Sequence, residues 1–204
     1  MTDDGALVSS IGEIRAKIDL LRRLDAEHGF GVVIEEQATP LEHIPELPPG
    51  VTEVFGIFRR LAGSYFCFVQ PTEIGSRTAW LNRTLNPGCP MGNPLTVGYE
   101  RSSVPVSATD VEGGDPIYLD VDDGGVYYIE PDDYIFLYEN PAEDVEIEDF
   151  AADIATFFNE YVLGEKYPRL VEAVLGTEAR NHRNREGEYT DSWMRLLVSG
   201  GLAS

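Results

Sequence analysis

Ile117-Tyr118-Leu119-Asp120-Val121-Asp122-Asp123-Gly124-Gly125-Val126-Tyr127-Tyr128-Ile129 is the stretch that decides how this chain is built. Two β-prone runs, 117–121 and 126–129, flank Asp122-Asp123-Gly124-Gly125, whose Asp and Gly residues tolerate the positive φ angles of a tight hairpin. The pattern predicts an antiparallel pair. Alternation along the second run puts Tyr127 and Tyr128 on opposite faces, so that at most one of them is exposed. Outward from the hairpin, further β-prone runs at 65–69, 78–83, 104–108 and 134–138 are separated by Gly, Pro, Asn and Asp. They predict a sheet of five or six strands, mainly antiparallel or mixed.

Helices are expected before and after this region. Ile11, Ile14, Ile18, Leu21 and Leu24 recur at spacings of three and four, with Ser10 and Glu13 in capping-box register and Gly29 placed to end the helix. A short strand at 32–34 and a proline-rich connection at 40–50 follow. Val51, Val54, Phe55, Phe58 and Leu61 then predict a second helix ending at Gly63. Phe150, Ile154, Phe157, Phe158 and Tyr161 predict a third, closed by Gly164, and Leu170, Val171, Val174 and Leu175 a shorter fourth. The fold class expected is α+β: one domain over residues 1–176, with a C-terminal extension at 177–204 that is helical or partly disordered.

Charge is unevenly placed. The net charge is −21, and the 64 residues between Arg101 and Lys166 hold 18 of the 36 acids and no Lys, Arg or His. Such density repels phosphate backbones and anionic lipid, so neither nucleic acid nor a membrane is an expected partner, whereas a basic protein is steered towards it. The acidic opening residues lack a basic region followed by an apolar run, and no apolar stretch approaches the roughly 20 residues that span a bilayer. The expected location is the cytoplasm. Cys67, inside an apolar run, and Cys89, in a Pro/Gly loop, form no disulfide framework.

Leu47-Pro48-Pro49-Gly50 opening a helix that ends in Ala62-Gly63, then Gly113-Gly114-Asp115-Pro116-Ile117-Tyr118-Leu119-Asp120 running into Gly125-Val126-Tyr127, then the Phe-rich helix at 150–162, together resemble the SUKH superfamily, the Smi/Knr cell-wall-regulator-like proteins. The resemblance covers about residues 12–175. It implies an α+β fold with a mixed sheet flanked by helices. For bacterial members it implies immunity proteins that bind and neutralise toxins, often nucleic-acid-directed ones. The 72–101 segment, read as an insertion, and the tail beyond Gly176 depart from the family pattern.

Catalytic and metal chemistry find little footing. Asp120-Val121-Asp122-Asp123-Gly124-Gly125 begins like a calcium loop, but the twelfth position is Pro131 rather than the bidentate Glu. His28, His43 and His182 are isolated, and Gly63-Ser64-Tyr65 lacks the second Gly of a nucleophile elbow, so Ser64 reads as a helix-to-strand connector. Cys67 reads as a buried small hydrophobe. No catalytic residue, metal or cofactor is therefore assigned. The expected site is an acidic, partner-binding face: Asp110, Glu112, Asp115, Asp120, Asp122, Asp123, Glu130, Asp132 and Asp133, with Tyr118, Tyr128 and Tyr134 as aromatic anchors. Its expected partner is a basic protein such as a cognate toxin. The alternative is a regulatory or scaffold protein that self-associates as a homodimer through the extension. There Arg180, Arg183 and Arg185 precede the apolar Trp193, Met194, Leu196, Leu197 and Val198.

Overall fold

Seven strands follow one another across a single antiparallel sheet, each hydrogen-bonded to its neighbours in sequence. The computed structural model describes residues 3–39, 41, 47–69, 94–101, 115–130 and 147–204. The strands are β1 Val33–Glu36, β2 Phe58–Ala62, β3 Phe66–Val69, β4 Pro94–Glu100, β5 Pro116–Asp120, β6 Val126–Tyr128 and β7 Glu148–Ala151. Among the described residues the sheet therefore has one strand more than the upper expectation and no parallel pair. Expected strands at 78–83, 104–108 and 134–138 lie outside the described residues.

Alternation sorts the strand residues to two faces. Leu61, Phe66, Phe68, Leu95, Val97, Ile117, Leu119, Val126, Tyr128 and Phe150 join the helices in the main core. Ala62, Cys67, Val69 and Tyr99 form a second buried cluster. A shift in register between Thr96 and Gly98 lets β4 send Leu95 and Val97 to one face and Tyr99 to the other.

The helices that fill the main core are α1 Asp3–His28, α2 Val51–Phe55, α3 Ile154–Thr156 continuing as a π-helix over Phe157–Val162, α4 Tyr167–Asn181 and α5 Ser192–Ser199. Helix α1 ends at Gly29 (φ 68°) as expected, but begins well before Ser10, so the capping box plays no part. The second helix is the clearest misreading. It stops at Phe55, and Phe58 and Leu61 belong to β2, where a shift in register opposite Glu35 and Glu36 lets two residues three apart share the main core. Phe150, expected in the third helix, ends up in β7. Ser64 is consequently a strand-to-strand turn residue.

Two findings concern whole segments. The 72–101 stretch contains β4, which sits between β3 and β5. The extension at 177–204 is part of the core: α4 runs through a break at Gly176 (φ 83°), and α5 buries Trp193, Met194, Leu196 and Leu197 almost completely. Trp193 donates its indole N–H to the carbonyl of Val162 at 2.8 Å. Its backbone lies so close to the β2–β3 turn that a Cβ on Gly63 would stand 2.5 Å from Trp193 Cβ, so only glycine fits there. Beside it, Asp191 caps α5 and accepts the Tyr167 hydroxyl at 2.6 Å, while Ser64 donates to Ser192 at 3.0 Å. The apolar residues offered for a partner helix are thus spent on this chain's own core, apart from the exposed Val198.

Candidate functional site

The predicted hairpin forms as read: Ile117 pairs with Tyr128, Tyr118 with Tyr127 and Leu119 with Val126. Its tip is held by its own acids. Asp120 accepts the N–H of Asp122 at 2.8 Å, Asp123 accepts that of Gly125 at 2.7 Å, and Gly124 takes φ 86°. These short side-chain-to-backbone bonds are what Asp supplies in turns. Among the described residues no three His, Cys, Asp or Glu side chains gather as metal ligands.

The hairpin divides the expected acidic face. Asp120, Asp122 and Asp123 gather at the tip, whereas Asp115 and Glu130 flank the other end of β5 and β6, about 16 Å away at the rise of a strand. Asp110, Glu112, Asp132, Asp133 and Tyr134 lie outside the described residues. The tyrosines require a correction. Tyr118, Tyr127 and Tyr128 are only 9%, 6% and 6% exposed, so neither face of the hairpin offers an aromatic anchor. Tyr118 and Tyr127 lie against each other with ring centroids 5.7 Å apart. Tyr128 faces the main core with its hydroxyl 3.5 Å from Asp115. Burial, and after it the charges of Asp115 and Glu130, raise its phenol well above the ordinary value and keep it protonated.

What the tip does border is a cleft of about 490 Å³. Its walls come from four elements: Leu7 and Ser10 of α1, Pro48 and Pro49 before α2, Asp123 and Gly124 of the hairpin, and Asp153 with Thr156 at the entry to α3. Gly124 is buried beneath Pro48, whose Cβ lies 3.4 Å from where its own Cβ would be. The cleft thus joins the Pro-Pro-Gly segment, the Asp-Gly hairpin and the start of the Phe-rich helix, which are distant in sequence.

Among the described residues Asp123 and Asp153 are the charged groups lining it, and no cation does. Both are oriented. Asp153 accepts the Thr156 N–H and hydroxyl, each at 2.8 Å, as an N-cap. A carboxylate keeps further lone-pair sites after such bonds, so each can still accept from an incoming donor. Leu7, Pro48 and Pro49 beside two fixed acceptors suit the aliphatic stem and charged head of a Lys or Arg side chain. Asp153 was missed in the sequence, although an Asp three residues before Thr156 at a helix entry is a capping signal. Ser10 and Leu7 carried none, since they were placed outside the first helix or at its cap.

Among the described residues no helix is long and apolar enough to cross a membrane. No family model, curated protein or solved structure matches this chain.

Proposed function

We propose that this chain is a non-catalytic protein-binding domain, an immunity protein of the SUKH type that neutralises a toxin by receiving its basic surface at the hairpin tip and the adjoining cleft. The observation that carries this reading is the cleft itself: walls about half apolar, two oriented carboxylates, and no cation among the described residues that line it. The block between Arg101 and Lys166 adds a net negative field that favours the approach of a basic partner. A nucleic-acid-directed toxin is the natural class, because a protein that binds phosphates presents Lys and Arg where this domain presents acids. The cytoplasm is the matching location. The self-associating scaffold reading is weakened by the burial of Trp193, Met194, Leu196 and Leu197 within the chain.

The test uses the intact protein as bait. A captured basic protein should associate more slowly as salt rises, and its toxicity in growing cells should be relieved by the wild type but not by the Asp122→Lys/Asp123→Lys double variant. Unchanged rescue by that variant, with salt-independent association, would sink the proposal.

A further inference from the structure

A second cleft, of about 680 Å³, opens where the end of α1 meets the loop between α4 and α5. Its lining is chemically the reverse of the first. It includes Phe30, Tyr189 and Val198 as apolar surface, Arg183, Arg195 and His28 as donors, and a single carboxylate, Glu188.

The loop that forms it is tightly organised. Arg183 and Tyr189 form a β-bridge, and Asn184 accepts the N–H groups of Glu186 and Glu188 at 3.0 and 2.9 Å. Three consequences follow for the arginines. The Arg183 guanidinium carbon lies 3.0 Å from the centroid of the Tyr189 ring, a cation–π contact that leaves the N–H donors of this exposed side chain available. The Arg195 Nε is buried without a hydrogen-bond partner. The Glu188 carboxylate accepts from the Asn184 amide at 3.2 Å and stands 3.8 Å from Arg195, outside hydrogen-bond reach. Among the described residues of the lining, three donor side chains thus face one carboxylate, so the cleft offers an incoming acceptor more donors than its own carboxylate uses. The volume falls within the range of small-molecule pockets.

We propose that this cleft binds a small organic anion: an aromatic or branched apolar body, set against Phe30, Tyr189 and Val198, that carries one carboxylate or phosphate group held by Arg183 and Arg195. The site is independent of the acidic cleft, and its failure leaves the toxin-binding reading untouched.

The experiment follows the melting temperature of the intact protein in benzoate, phenyl phosphate, benzyl alcohol and inorganic phosphate. A saturable rise of about 5–10 °C at a hundredfold excess over the dissociation constant is expected for benzoate or phenyl phosphate, and whichever of them acts names the head group. Benzyl alcohol and inorganic phosphate should leave the melting temperature in place. Arg195→Gln should abolish the rise while melting close to the wild type without ligand. Glu188→Gln, which removes the competing carboxylate, should tighten binding several-fold. The proposal is overturned if neither aromatic anion gives a saturable rise, if Arg195→Gln keeps it, or if inorganic phosphate matches it.

Discussion

The two clefts share a helix and little else. Leu7 and Ser10 of α1 line the acidic one, and His28 at its other end lines the basic one, so about 27 Å of helix separates them. That is some three Debye lengths at physiological salt, far enough for each to act on its own charges rather than on the −21 of the chain. The contrast teaches that a net charge describes how a protein meets solvent and distant partners, while recognition is set by the few groups that line a cavity. It also separates two uses of an aspartate. Asp123 at the acidic cleft is exposed and orients a turn, whereas Asp191, behind the basic one, is 3% exposed and anchors a helix.

Replacing Trp193 by Ala should have the largest effect on this contrast. It removes a buried indole and its bond to Val162, and should cost about 3–5 kcal/mol by denaturant titration, undoing the α5 wall of the basic cleft. Asp191→Ala should cost about 2–3 kcal/mol, since it strands the buried Tyr167 hydroxyl and the Trp193 N–H together. The same residue gives a pH signature. Burial raises its folded pKa above the ordinary 3.8, against hydrogen bonds that pull it down, so the folded state holds the proton more tightly than the unfolded one. Its contribution is complete below 3.8 and declines as pH rises through the folded value. Unfolding titrations across that window should therefore show the advantage of wild type over Asp191→Asn shrinking with increasing pH; a growing advantage would contradict the burial argument.

Effects at the acidic cleft should be smaller. Asp153→Ala removes an N-cap and should cost about 1 kcal/mol. Asp123→Asn should change stability by less than about 0.5 kcal/mol, because it is exposed and its one bond is local. A loss at Asp123 as large as that at Asp191 would erase the distinction drawn between the two ends.

How far these regions were legible follows from the physics of each. The hairpin was plain because Asp-Asp-Gly-Gly between alternating apolar runs has one good solution. Strand β2 was not, because Phe58 and Leu61 continue the helical stripe of Val51, Val54 and Phe55, and only the irregular pairing with β1 and the pairing with β3 decide the matter. Strand β4 alternates Leu95, Val97 and Tyr99, but it opens on Pro94 and carries Gly98 inside, two residues that weaken a strand reading. The buried tyrosines and the docking of α5 depend on what covers them, which composition does not encode. The acidic block was visible as charge, but the cleft beside it needed Asp153 and the proline segment brought together from more than a hundred residues apart.

The close approach of Trp193 to Gly63 has a consequence for the order of assembly. A meander can grow one neighbour at a time as a chain is made, because each strand pairs with the one just completed. The core over β2 and α1 cannot close by that route alone: the Trp193 backbone that packs on Gly63 comes 130 residues later. Throughout synthesis of the intervening strands, the earliest part of the sheet waits with its apolar face uncovered. For this protein, chaperone dependence should be greatest in nascent chains that have made the hairpin but not yet α5.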